Sequence, residues 1–370
     1  MGWLPERLPA ALEPVWSIDT SSRGLGGVAA TADAVLFSDR GLGDTLDEWK
    51  CVSADAGKER WTHAYPCRGN LDYGNSPRAT PLIDGGRVFV LGAFGHLGCL
   101  RLDSGEPVWE LDLREEFGPN GDPKWGACSS PLLCDGKLIV NPGARGASVV
   151  ALDPATGRVV WKAPGRAAGY GSLLAGTFGG VLQVVGHDAD SLGGWDAATG
   201  RRLWTVTPPA PDDFNVPTPL DLGGRLLVST ENNGTRLFRF GAGGVIDPKP
   251  AAVSRRLAPD THTPVAAGGR VFGVWRRLLC LDAAGGLKPL WESDAPAFAR
   301  YAALVATESR VLAATLEGEF VLFDGGAAGF RELGRVKLLP GEKGLYSHPA
   351  FVGTRAYVRG GSALARFDLG

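Results

Sequence analysis

The residues of this chain that could do chemistry are few and widely spaced. Its five histidines, His63, His96, His187, His262 and His348, show no interval such as H-x-x-x-H that would set two imidazoles on one metal ion. The run His187-Asp188-Ala189-Asp190 offers oxygen ligands within one loop. The glycine and distal glutamate of a calcium loop are out of register, so a solvated turn is expected there. Asp44, Asp47 and Glu48 crowd a second loop and read as a solvated acidic patch. GLGGVA at 24–29 follows a strand-like VWSID, as a dinucleotide-binding turn would, yet ATADAVLFSD comes next where a long amphipathic helix is needed. GYGSLLAG at 169–176 approaches the G-x-S-x-G elbow of a serine nucleophile without matching it. The spacing supports no nucleophile–base pair and no metal cluster, so no catalytic or metal-ligating residue is assigned.

Bulk properties narrow the classes further. The 370 residues are 44% hydrophobic and 21% charged, with a formal net charge of −2. That balance gives no bulk attraction to nucleic acid or to an anionic membrane. No stretch approaches the roughly 20 apolar residues that cross a bilayer. The opening MGWLPERLPAALEPVW lacks a signal-like apolar run and has no lipobox cysteine, so lipid anchoring is not supported. The chain reads as cytoplasmic as written, or as periplasmic if it is a mature form whose signal has been removed. Glycine (54) and proline (26) without a Gly-X-Y period suit many tight turns between short strands. Among six cysteines, Cys51, Cys99 and Cys280 occupy matching places in WKCVSAD, LGCLRLD and RLLCLD and are expected as buried, unpaired side chains. Cys128 and Cys134 flank a short strand, where a disulfide is sterically open but not indicated.

The elements that would position any site come from an internal repeat. A turn opens a short apolar run in GGRVFVL (85–91), DGKLIVN (135–141), GGVLQVV (179–185), GGRLLVS (223–229), GGRVFGV (268–274), ESRVLAA (308–314) and GTRAYVR (353–359). ADAVLFS at 32–38 makes an eighth, weaker copy, and the interval of 40 to 53 residues is that of a four-stranded propeller blade. Each run is preceded by a lead-in strand, as in ATPLI, SSPLL, PTPLD and HTPVA, where a proline at the strand start costs no ladder bond. Each is followed by an Asp-to-Gly turn and a closing strand that ends on tryptophan: Trp16, Trp61, Trp109, Trp161, Trp204 or Trp291. Blades five and seven lack theirs, near Leu257 and Val336. Trp16 has no three strands before it, whereas the C-terminus supplies three strands and stops.

The expected fold is therefore all-β: a single eight-bladed β-propeller of four-stranded antiparallel blades, spanning 1–370. Its ring is closed by the N-terminal strand completing the C-terminal blade, a closure expected to leave no free strand edges. The blades are expected at about 24–66, 75–113, 125–165, 170–208, 215–258, 261–295, 300–338 and 345–370 with 12–19. ALDPATGRVVW (151–161) and GWDAATGRRLW (194–204) carry the "ALD-x-x-TG-x-x-x-W" signature, and the chain resembles the quinoprotein-like β-propeller repeat family over essentially its whole length. In size and blade count it resembles the outer-membrane assembly propellers within that group.

That resemblance implies a propeller but not one activity, because the family mixes quinone-dependent dehydrogenases with non-enzymatic members. The dehydrogenase branch would need pyrroloquinoline quinone with calcium. Glu231 with Asn232 or Asn233 would be the ligand group and Trp125 the stacking platform. The chain is shorter than the large dehydrogenases and lacks the adjacent cysteine pair that covers their quinone, so no cofactor is the favoured expectation. The repeat brings the lead-in segments and the loops between second and third strands to one face, around the channel mouth. Candidate binding residues there are Asn75, Arg78, Lys124, Trp125, Tyr170, Asn215, Asn233, His262, Arg300, Tyr301 and His348. Polar, cationic and aromatic groups so gathered would hold a protein partner or a small anionic or sugar-like ligand. The longest insertions, 38–49, 114–125 and 187–194, map to the same face, as binding insertions in repeat proteins do. A non-catalytic scaffold in the form of a monomeric ring is the leading expectation, with no nucleic-acid partner.

Overall fold

In the computed structural model, which describes residues 3–118, 123–342 and 344–370, the chain forms eight separate four-stranded antiparallel sheets arranged as a propeller. Blade 1 shows the pattern: Ala29–Ala30 innermost, then Ala34–Arg40, Leu46–Ser53 and, outermost, Glu59–Pro66. All seven residues of Ala34–Arg40 are buried, whereas Glu59–Pro66 alternates between exposed and covered. Second and third strands are packed on both faces by neighbouring blades. Their sequences therefore run apolar without alternation, while the outer strand keeps one wet face. The core lies between blades. Ala34, Leu36, Trp49, Cys51 and Trp61 of blade 1 pack against Val88, Val90 and Leu100 of blade 2. Cys51, Cys99 and Cys280 are fully buried, and all six cysteines are free, Cys128 and Cys134 included. Among the described residues no helix is long and apolar enough to cross a membrane.

The closing tryptophans act as clamps between blades. The Nε1–H groups of Trp16, Trp61, Trp109, Trp161 and Trp291 donate to the carbonyls of Ala54, Leu102, Pro154, Ala197 and Ala327 at 2.9–3.2 Å. Each acceptor lies in the turn of the next blade. In four of those turns the glycine sits under the indole: a Cβ on Gly157 (φ +71) would lie 2.8 Å from the Trp109 ring. That contact, as much as the left-handed φ, demands glycine. Trp204 departs from the pattern. Blade 5 replaces the Asp-to-Gly turn with an irregular segment closed by a Phe240–Ile246 bridge, and Trp204 turns back to donate to Gln183 Oε1 at 2.7 Å. Where blade 7 lacks a tryptophan, the N-terminal segment lies across its outer strand, with buried Leu4 and Leu8 in that core and Leu8 against Gly334.

Ring closure follows the expectation from Trp16. Trp16–Asp19 pairs antiparallel with Ala363–Asp368, Trp16 opposite Arg366 and Asp19 opposite Ala363, completing the blade of Ala350–Val352 and Arg355–Arg359. Closure does not remove strand edges, however. Because the blades are separate sheets, each outer strand keeps one edge unpaired by any strand, and Val108, Val159, Val160, Val253 and Leu290 on such strands are exposed.

Two loops read as solvated are instead packed. Asp47 is fully buried, held 2.5 Å from Arg40 Nη1 and accepting from the Tyr65 hydroxyl at 3.1 Å, because residues 34–53 form one long hairpin rather than a strand and a loop. His187 and Asp188 are also buried. Asp188 closes a tight turn by accepting from Ser191 N at 2.7 Å and pairs with Arg202 at 2.8 Å.

Candidate functional site

The lead-in strands meet at the central channel through a ladder of hydroxyls. Gly27 N donates to Thr80 Oγ1 (3.2 Å), Thr80 N to Ser130 Oγ (2.9 Å) and Ser130 N to Ser172 Oγ (3.0 Å). Thr218 N donates in the same way to Thr263 Oγ1 (3.1 Å). Each bond ties one blade to the next and fixes a hydroxyl on the channel wall. The repeated Thr or Ser of the lead-in strands is thus a joint as well as a lining. Above it opens a central cavity of about 570 Å³ bordered by residues from every blade.

Of the eleven sequence-proposed residues, Arg78, Trp125, Tyr170, Tyr301 and His348 line this cavity. Arg78 donates to the backbone carbonyls of Ser76, Asp72 and Gly74, so its guanidinium holds the 72–78 loop. Trp125 meets Tyr170 and Phe214 edge-on, with ring centroids 4.8 and 5.0 Å away. Lys124 is exposed at the rim, 5.1 Å from the Trp125 ring and 3.0 Å from Asp72. Tyr301 donates its hydroxyl to Tyr346 O at 3.2 Å, and burial pushes its phenol up to about 12. His348 is reached by solvent through the channel, whose protein walls hold its pKa below the usual histidine value.

The other residues are placed differently. Asn75, Asn215 and Asn233 are buried and spend their amides on backbone groups and, for Asn75 and Asn233, on the carboxylates of Asp44 and Asp213. Asn75 accepts from Leu71 N and donates to Asp44, Asn215 donates to Asp188 O, and Asn233 grips Ala210 and Asp213. His262 and Arg300 border a second cavity of about 460 Å³ that shares Tyr301 with the first. Residues 119–122 of the 114–125 insertion lie outside the described residues; its preceding helix, Leu113–Phe117, is capped by Asp112, which accepts from Arg114 N and Glu115 N.

Three contacts were not legible in the sequence. Phe214 completes the aromatic cluster from a loop with no period to mark it. Arg276 holds a left-handed φ of +61 at a hairpin tip, 5.1 Å over Trp275, a conformation that costs a non-glycine residue about 1 kcal/mol. Cys67 Sγ lies 3.9 Å from His96 Nδ1, and His96 Nε2 lies 3.5 Å from Asp112, in the order of a thiol–imidazole–carboxylate triad. Burial and the neighbouring Asp47 push the Cys67 thiol up to about 11, which leaves it protonated and unreactive near neutral pH.

The quinone–calcium arrangement was tested against its donors. Asn233 accepts from Ala210 N through Oδ1 at 2.9 Å and donates through Nδ2 to Ala210 O and Asp213, so its amide is already engaged, whereas Asn232 donates through Nδ2 to Pro211 O and Asp212 O. Among the described residues no group of three His, Cys, Asp or Glu comes together that could hold a metal ion. No chemistry is derived through that group.

A closed ring of eight blades, tryptophan clamps and a polar channel mouth with an aromatic corner define a quinoprotein-like β-propeller. A sequence profile described as outer membrane protein assembly factor BamB matches residues 13–116, 46–161 and 145–244, and the chain belongs to that family. The BamB protein of Shewanella oneidensis is 24% identical over 212 residues, which is 53% of this chain and 51% of that protein. Quinoprotein alcohol dehydrogenase PedH of Pseudomonas putida is 27% identical over 141 residues, 34% of this chain and 22% of the enzyme. The matched region thus spans about half or less of these curated relatives' length. The crystal structure of BamB from Moraxella catarrhalis covers 96% of this chain and 99% of its own at TM-score 0.68 and 15% identity, a likeness of fold.

Proposed function

We propose that this chain is a non-catalytic propeller that docks a partner protein on its channel face, around the corner formed by Trp125, Tyr170 and Phe214. The observation that carries this reading is the aromatic cluster itself. Three half-buried rings from three successive blades stand edge-to-face at the mouth, beside a cationic rim of Lys124. Aromatic anchors ringed by polar groups are where interface energy concentrates. The name carried by the BamB relatives, an assembly factor, supports a polypeptide as the partner class.

The test is site-specific photocrosslinking in the source cells. A photoreactive phenylalanine replaces Tyr170 or Phe214 on the channel face, or Val160 or Thr199 as controls away from it. Adducts to one discrete protein are expected only from the channel-face positions. Adducts confined to Val160 or Thr199 would overturn the proposal. The quinone reading has its own check: calcium with pyrroloquinoline quinone should change neither absorbance nor melting temperature.

A further inference from the structure

The opposite side of the mouth, between blades 5 and 8, makes a chemical demand of its own. His262 borders the cavity of about 460 Å³ there and is only 3% exposed. Its Nδ1 lies 2.6 Å from the Ala302 carbonyl oxygen, which can only accept, so Nδ1 carries the hydrogen and donates. Burial keeps the ring neutral, with its pKa lowered to about 4. Nε2 is therefore a bare, buried acceptor without a hydrogen-bond partner among the described residues. A buried lone pair left this way costs about 1–3 kcal/mol until a donor reaches it.

The floor of the adjoining channel makes the reverse demand. Thr80, Ser130, Ser172 and Thr263 each accept one backbone N–H through the side-chain oxygen, and each keeps its own hydroxyl proton without an acceptor among the described residues. All four line the central cavity. The two cavities share Glu231, Asp260, Thr261, Tyr301 and Tyr346, so they are continuous.

Charge at the rim then selects among ligands. Glu231 and Asp260 border the side cavity together with Arg276 and Arg300. A net anion would meet two carboxylates and a net cation two guanidinium groups. The acceptor furthest from solvent, His262 Nε2, is neutral, and a desolvated ammonium placed there would lack a counter-charge. A molecule whose polar groups each donate and accept satisfies every demand: hydroxyls to Nε2 and to the carboxylates, and from the threonine, serine and arginine donors. Its C–H faces would lie against Tyr301, Tyr346 and Trp275.

We propose that the channel mouth between blades 5 and 8 is a binding site for a neutral saccharide, seated with a hydroxyl on His262 Nε2. The His262 end lies across the mouth from the Trp125 corner, in a cavity continuous with it, and the proposal does not depend on the partner-docking reading.

The intact chain is titrated with glucose, galactose, N-acetylglucosamine, maltose and cellobiose, and with glycine and inorganic phosphate as zwitterionic and anionic probes. Calorimetry and tryptophan fluorescence are the readouts. Saturable binding of at least one saccharide is expected, without glycine or phosphate binding. Glu231→Ala, at an exposed side chain, should weaken that saccharide about tenfold or more. His262→Phe should abolish its binding while the far-ultraviolet circular dichroism is unchanged. If His262→Phe fails to fold, Glu231→Ala and Arg276→Ala decide the matter. No saturation with any of the five sugars, equal affinity in Glu231→Ala and Arg276→Ala, or binding of glycine or phosphate instead would overturn the proposal. Trp125→Ala should leave saccharide affinity intact, which separates a failure here from a failure of partner docking.

Discussion

Deleting residues 12–19 should open the ring. That segment supplies the strand Trp16–Asp19 and the amide bond from Val15 N to Arg366 O at 2.8 Å. Trp16 donates to Ala54 O at 3.1 Å, lies over Gly57 and stands 6.0 Å from Tyr357. Ile18 packs on the same core between blades 8 and 1. Losing the indole costs about 3 kcal/mol, half-buried Ile18 about 1 kcal/mol, and roughly four ladder bonds about 1 kcal/mol each. The total, about 8 kcal/mol, is of the order of a whole domain's stability. The deleted chain should therefore be unfolded or melt far below the intact protein by circular dichroism. Trp16→Ala alone should lower the melting temperature by about 4 °C for a chain of this length. Hydrogen exchange at 363–368 should accelerate before that of blades 3 and 4. A deletion variant that melts with the intact chain, with 363–368 still protected, would refute this reasoning.

Other consequences can be checked on the same footing. His187 and His262 are held neutral, each with a pKa near 4 against 6.5 in the unfolded chain. The unfolded state therefore binds more protons below pH 6.5, and stability should fall as pH drops from 6.5 towards 4, by about 3 kcal/mol per histidine. Melting temperatures across that window should show it, with a shallower slope in His262→Gln. Arg359 and Asp39 form a fully buried pair at 3.2 Å. Asp39→Asn should cost about 3–5 kcal/mol in urea unfolding, with part regained in Asp39→Asn/Arg359→Met. Gly157 and Gly136 share a left-handed φ, but only Gly157 has an indole within reach of a new Cβ. Gly157→Ala should destabilise by about 1–3 kcal/mol more than Gly136→Ala, and equal losses would remove the clamp's role.

The repeat was legible because each of its signals has one local cause. The turn Asp accepts nearby amides, as Asp153 does from Ala155 N and Thr156 N at 2.8 and 3.0 Å, and the turn Gly admits the neighbouring Trp. Where that cause is replaced, the pattern faded: at blade 5, Trp204 turns to Gln183, and at blade 7, Leu4 and Leu8 arrive from the far end of the chain. The channel face was legible as a face, since the topology alone brings its loops together. Which side chains point into it was not. Asn75, Asn215 and Asn233 look like free polar groups in a loop and are consumed by backbone amides and carbonyls that no periodicity announces. The burial of Asp47 follows from Arg40, seven residues earlier, a pairing visible only once the hairpin register is known.

The most direct test of the docking claim is the affinity of the photocrosslinked partner, purified and titrated against the intact chain and against Trp125→Ala/Tyr170→Ala. The double variant should bind about 30-fold more weakly or worse, while still folding and melting within about 8 °C of the intact chain. Affinity within twofold of the intact chain would place the partner elsewhere and contradict the channel-face assignment.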